Sequence, residues 1–261
     1  MSKDLIANTT KSYKRLGNIV NDARLAGLID WESIEDRTRA VVSPSHWDNP
    51  TDIVAACAQS FRRDKWIGQA YRPEVWIEKE ALAGVVEGVC RELDIPFLSC
   101  RGYTSQSEMW SSAMRLKAFA KTSGQKPVIL HFGDHDPSGI DMTRDITDRL
   151  RTFMGGLELR RLALNMPQVE QYKPPPNPAK VTDSRFESYR QNFGGDSWEL
   201  DALEPSVLVA LIRDTVQSLR DDAKWNAAVE EEARDRKSLA TAAERWGEIE
   251  TFLDQESDGC Q

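Results

Sequence analysis

Three acidic side chains stand where chemistry can be done. Glu78 closes the run Val75-Trp76-Ile77-Glu78-Lys79-Glu80, and Asp134 and Asp136 close Val128-Ile129-Leu130-His131-Phe132-Gly133-Asp134-His135-Asp136. Each run reads as a short apolar strand that ends on acids. Burial of the strands accounts for the apolar residues, but not for carboxylates at both C-terminal ends. In an open parallel α/β sheet that edge is where ligands bind. Carboxylates gathered in one small volume repel unless a proton or a cation intervenes. A hard divalent ion answers this need, and Mg²⁺ suits a few carboxylates, retained waters and substrate phosphates. Held by Glu78, Asp134 and Asp136, it would polarise a phosphoryl oxygen and stabilise a leaving oxyanion. A second role is open to Glu78, that of general acid or base, and it competes with metal ligation for the same carboxylate. Lys79 reads either as a phosphate contact or as a local partner of Glu80. Arg101, after Pro96–Cys100, is another phosphate candidate. His135 lies between the aspartates and is expected to point away from them, because neighbours alternate in an extended chain.

These residues need a sheet to hold them. From Glu74 onward the sequence alternates strand and helix patterns. Leu82, Val85, Val86, Val89 and Leu93 form a helical stripe, and Pro96–Cys100 is a second strand. Ser105-x-x-Glu108 is a capping box that opens the next helix. Val128–Phe132 is the third strand. Ser138-x-x-Asp141 resembles another capping box, which assigns Asp141 to helix capping. Leu157–Leu164 is a fourth strand. Successive right-handed β-α-β units build a small parallel sheet with helices on both faces. Residues 167–198 read as irregular around Pro174-Pro175-Pro176-Asn177-Pro178. There Lys173, Lys180, Arg185, Tyr189 and Arg190 mix cations with aromatics, as a nucleic-acid channel or a plain surface loop would. A helix starts at Pro205, and 222–253 form one or two charged helices that pack on the core or mediate self-association.

Upstream, 12–28 is an amphipathic helix with Leu16, Ile19, Val20 and Ala23 on one stripe and Lys11, Lys14 and Arg15 on its first turns. Either those cations form a solvated face, or the helix is a recognition helix and Arg37-Thr38-Arg39-Ala40-Val41-Val42 is a wing strand. Lys11, Lys14, Arg15, Arg37 and Arg39 would then grip DNA phosphates. Residues 43–73 read as a linker with a short helix at 51–61.

The 261 residues carry a net charge of −8. All of that excess lies in 199–261, with 7 basic and 16 acidic side chains, whereas 1–198 hold 27 and 26. A local basic face is therefore compatible with the composition. Four scattered cysteines without a C-x-x-C pair argue against zinc and for a reduced, cytoplasmic setting. No stretch has the length and apolarity of a membrane span or leader.

Ile77-Glu78-Lys79 followed by Gly133-Asp134-His135-Asp136-Pro137-Ser138-Gly139-Ile140-Asp141 resembles a Toprim domain. The wording is similar to that of the topoisomerase VI A subunit, its meiotic DNA-breaking relatives, and bacterial and phage proteins with this type of Toprim. Segments Ser12–Arg39, Trp76–Leu82, Gly133–Met142, Pro174–Lys180 and Trp198–Leu203 carry the likeness, over roughly residues 5–205. It implies a winged-helix-like module, represented only in part, in 1–73; a Toprim domain with a Pro-rich insertion in 74–205; and a helical extension in 206–261. It implies Mg²⁺ on Glu78, Asp134 and Asp136, with DNA as partner and a homodimer or partner subunit as an option. It also makes Glu199 and Asp201 candidates for a second metal or for bracing the site; as plain helix-entry acids they would need no such role. In the topoisomerases of this family an earlier segment carries the tyrosine that attacks DNA. No tyrosine here, including Tyr13, stands in that context, so Tyr13 is expected to pack on its helix neighbours. The implied activity is DNA cleavage, by a nuclease or a topoisomerase-like enzyme. The alternative is a non-catalytic DNA-binding or assembly module whose partner supplies the nucleophile.

Overall fold

The computed structural model describes residues 9–34 and 43–258, which divide between two compact units, one spanning 58–239 and one drawn from 3–57 and 240–261. Helix α1 (Thr10–Leu25) starts at Thr9, whose side chain accepts the Ser12 N–H, and α2 spans Pro50–Ser60. No residue of α1 is buried, and Tyr13 is 53% exposed. Among the described residues its apolar stripe stays incompletely covered: Leu16 and Ile19 are exposed and Val20 and Ala23 half-buried. The wing expected at Arg37–Val42, with Arg37 and Arg39, lies outside the described residues.

Four strands carry the larger unit: β1 (Tyr71–Ile77), β2 (Phe97–Ser99), β3 (Lys126–Phe132) and β4 (Glu158–Ala163). They form an all-parallel sheet in the order β2-β1-β3-β4, with Ile77 opposite Ser99 on one side and Phe132 on the other. The chain ends of β1 and β3 therefore finish level, which places the residues after Ile77 and Phe132 at one sheet edge. Alternation along the strands sends side chains to two cores. Val75, Ile77, Val128, Leu130 and Phe132 join one cluster, and Trp76 and Ile129 join the other.

Helices fill the crossovers and cover both faces. On the first face lie α3 (Ala83–Glu92) and, later in the chain, a helix that begins at Pro205; the second is covered by α4 (Gln106–Ser123) and α5 (Pro137–Met154). Ser105 caps α4 through the Glu108 N–H, as its sequence suggests. Helix α5 differs from its expected start. Asp136, not Ser138, is the N-cap, because Pro137 already occupies the first helical turn and its fixed φ suits that place.

The segment expected to be irregular is ordered around short elements: α6 (Met166–Tyr172), β5 (Asn177–Pro178), α7 (Phe186–Phe193) and β6 (Asp196–Ser197), with β5 and β6 antiparallel. These pieces are too short for periodicity to reveal beside five prolines. Helix α8 (Pro205–Leu219) buries Leu208, Ile212 and Val216 in the same core as β1 and β3, so the sheet's packing runs past residue 205. Then come α9 (Asp222–Glu244) and α10 (Trp246–Asp258). Among the described residues no helix is long and apolar enough to cross a membrane.

Candidate functional site

The acids at the carboxyl edge are placed by backbone contacts. As β1 ends, the Glu78 N–H donates to the Phe132 carbonyl (2.9 Å), and the Asp134 N–H donates to Glu78 Oε2 (3.0 Å). The Gly139 N–H donates to Asp136 Oδ1 (2.6 Å), and the Leu200 N–H to Asp134 Oδ1 (2.7 Å). Each of the three carboxylates is thus oriented through one oxygen by a main-chain donor. The structure brings Glu78 and Asp134 into one contact network, with Asp136 at the head of α5 beside them.

Two glycines make this approach feasible. A Cβ on Gly133 would stand 2.9 Å from Glu78 Oε2 and 3.2 Å from Arg161 Nη1. One on Gly139 would stand 2.3 Å from the Asp134 carbonyl oxygen, a clash with backbone that cannot swing away. The motif Gly-Asp-His-Asp-Pro-Ser-Gly is therefore spaced by packing as much as by its acids.

Beneath the loop lies Arg161 of β4, which sequence reading passed over. Its Nη1 donates to the Gly139 carbonyl (3.0 Å) and Thr143 Oγ1 (2.6 Å), and its Nη2 to the carbonyls of Gly133 (2.9 Å) and Asp134 (2.6 Å). Burial lowers its pKa to about 10, against the opposing pull of Glu78, Asp134 and Asp136. The signal available was a pair of arginines, Arg160-Arg161, inside a strand otherwise patterned for a core. His131 is fully buried beside it, with Nδ1 sharing a 2.9 Å hydrogen bond with Thr143 Oγ1; burial and the Arg161 charge lower its pKa to about 3.

His135 points away from the acids, as alternation predicts. Its Nδ1 lies 2.7 Å from the Tyr189 hydroxyl, and its ring meets Phe193 and Trp198 edge-on. Tyr189 is consequently buried and does not line a channel; Lys173, Lys180 and Arg190 are exposed. His135 and Trp198 also exchange both backbone hydrogen bonds (2.8 and 2.9 Å). That bridge delivers Glu199 and Asp201 to the site from sixty-odd residues away.

Lys79 is where the two acidic groups meet. Its Nζ bonds to Glu199 Oε2, lies 3.1 Å from Asp201 Oδ1 and stands 3.4 Å from Asp134 Oδ1. Its expected local partner, Glu80, turns instead to Ser99 and to Arg101, which is exposed and paired bidentately with it. Burial opposes the Lys79 charge, yet Glu199, Asp134 and Asp201 outweigh it and raise its pKa. Asp141 does not cap α5. It accepts the Tyr103 hydroxyl (2.8 Å) and pairs with Arg144 and Arg185. Lys11, Lys14 and Arg15 lie exposed on α1, in the other unit.

The electrostatics of the edge are unbalanced. Burial, aided by Glu78 and Glu199, pushes Asp134 up to about 7 against the Leu200 N–H and Lys79. Burial and the Asp136 charge also raise Glu78, against the Asp134 N–H, Arg161 and Lys79. Such a pair takes a proton or a cation readily. Among the described residues no three His, Cys, Asp or Glu side chains already close on one point as a ready metal cage. A dedicated cage is not what Mg²⁺ requires, since it is bound through one or two carboxylates with waters and substrate oxygens completing the shell. The donor chemistry of Glu78, Asp134 and Asp136 fits that mode. No protein-family model, curated protein or solved structure matches the chain.

Proposed function

We propose that this chain is a Toprim-class, Mg²⁺-dependent DNA-processing protein that cleaves phosphodiester bonds at the Glu78/Asp134/Asp136 edge. The observation that supports it best is the delivery of two carboxylates, Glu78 and Asp134, both raised above the usual carboxylate range by burial, by neighbouring parallel strands to one sheet edge. A Mg²⁺ bound there supplies a Lewis acid for a phosphoryl oxygen. The chain's own residues do the rest. Main-chain donors orient the carboxylates, Arg161 fixes the loop between them, and Glu78 has the raised pKa that suits holding a proton. Tyr103, the tyrosine after β2, gives its hydroxyl to Asp141, and burial raises its pKa to about 12, which does not suit a nucleophile. Water is therefore the attacking group in this reading.

A second reading draws on α1. Its cations Lys11, Lys14 and Arg15 and its apolar Leu16 and Ile19 are all exposed, as a DNA-binding or assembly module completed by a partner would present them. Supercoiled plasmid incubated with the purified chain in Mg²⁺, Mn²⁺ or EDTA separates the two. The proposal expects metal-dependent nicked or linear products with protein-free ends, lost in Asp136→Ala and kept in Tyr13→Phe. Binding without cleavage in every metal would leave the module reading, and a denaturation-resistant protein–DNA adduct that disappears in Tyr13→Phe would replace water with tyrosine.

A further inference from the structure

Acidic centres that act on phosphodiesters often hold two divalent ions about 3.5–4 Å apart, clamped by shared ligands. The edge described above has the acids for that. Asp134 meets both groups: its N–H donates to Glu78 Oε2, and its Oδ1 stands 3.4 Å from the Lys79 Nζ that Glu199 and Asp201 also hold. The second group, however, is already closed on a cation. Lys79 Nζ touches Glu199, Asp201 and Asp134 together, and its side chain is only 21% exposed. Two of these contacts are hydrogen bonds, to Glu199 and Asp201, and the third, to Asp134, is an ion pair at 3.4 Å.

Two features make this seat specific to Lys79. Lys79 follows Glu78 directly, so the residue that follows β1 on the metal side and the residue that reaches the second group are covalent neighbours. The second group is itself positioned by the His135–Trp198 backbone bridge and by the Leu200 N–H on Asp134 Oδ1. The backbone that carries these residues is thus set by the same loop contacts.

We infer that the Lys79 ammonium occupies the second-cation position of this centre, so that it takes up one divalent ion where the acids alone would take two. The inference rests on the proposed metal reading. It assigns Glu199 and Asp201 to holding Lys79 rather than to a second metal. Mg²⁺ arriving at the remaining position would meet a partner cation already fixed beside Asp134.

Mn²⁺ serves as the probe, because free and bound ion are counted by electron paramagnetic resonance without any turnover. The wild-type chain is expected to bind one Mn²⁺ and Lys79→Met two, with folding of each checked by circular dichroism. The second ion should disappear again in Lys79→Met combined with Glu199→Gln and Asp201→Asn. As a variant that keeps the lysine, Glu199→Gln/Asp201→Asn should bind its single Mn²⁺ within about threefold of wild type, a change under about 0.7 kcal/mol. Two ions on the wild type, one on folded Lys79→Met, or a lost ion in Glu199→Gln/Asp201→Asn would overturn the inference while leaving the metal reading standing. No ion on any of these proteins would overturn the metal reading and the inference with it.

Discussion

Replacing Asp134 by Asn should stabilise the metal-free protein, and by an amount that depends on pH in a stated direction. Burial, with Glu78 and Glu199 nearby, raises the Asp134 pKa from 3.8 to about 7. A carboxyl with a raised folded pKa retains its proton longer in the native state than in the unfolded chain. Between the two pKa values the native state binds more protons, so its stability falls as pH rises. From about pH 5 to about pH 7, where the native group is half ionised, the loss is roughly two pH units at 1.36 kcal/mol each, or about 2–3 kcal/mol. Asparagine keeps an acceptor for the Leu200 N–H and cannot ionise. The advantage of Asp134→Asn over wild type should therefore grow by about 2–3 kcal/mol between about pH 5 and about pH 8. At about 2–4 °C per kcal/mol for a unit of this size, the difference in Tm should widen by about 4–12 °C. Thermal melts in EDTA at several pH values measure it, and comparing the two proteins at each pH cancels the titration of groups that do not interact with Asp134. Mg²⁺ should restore much of the wild-type deficit at high pH and leave the variant unchanged. A difference in Tm that is flat with pH, or a wild type that gains on the variant as pH rises, would refute the burial reasoning.

Other outcomes follow from the same geometry. Gly139→Ala, whose Cβ would fall 2.3 Å from the Asp134 carbonyl oxygen, should cost at least about 1–3 kcal/mol in urea unfolding, because the obstacle is backbone. Arg161→Met should cost about 2–4 kcal/mol by the same measurement, since it removes a half-buried cation from beside three carboxylates and leaves the carbonyls of Gly133, Asp134 and Gly139 without this donor. Lys14→Glu/Arg15→Glu should weaken DNA binding uniformly across sequences and reduce the slope of log affinity against log salt by about 2, read by fluorescence anisotropy over a salt series.

What could be read from the sequence was whatever a short run determines. Val75-Trp76-Ile77 and Val128–Phe132 are strands because β-branched and aromatic residues repeat there without a break, and their level pairing puts Glu78 and Asp134 at one edge. Ser105 caps its helix because the capping pattern is local. Asp136 reads as a ligand in the sequence and also caps α5, because Pro137 fixes the helix start two residues ahead of the Ser-x-x-Asp pattern. Lys79 illustrates the larger limit. Its sequence neighbour Glu80 was the natural partner, but Glu80 pairs with Arg101, and the acids on Lys79 lie 120 and 122 residues away. That juxtaposition depends on the His135–Trp198 bridge, which no periodicity announces. Arg161 was hidden for a related reason. A charged residue in a strand reads as an exposed position until the carbonyls that satisfy it are known.

The central claim is that the carboxylates of β1 and β3 hold a divalent cation at the sheet edge. The most direct measurement is the anomalous difference map of a crystal soaked in Mn²⁺. The account predicts a single peak within coordinating distance of Glu78 and Asp134 oxygens, on the Asp136 side of Asp134 and away from Lys79 Nζ. No peak at that edge, or a peak only elsewhere on the molecule, would contradict it.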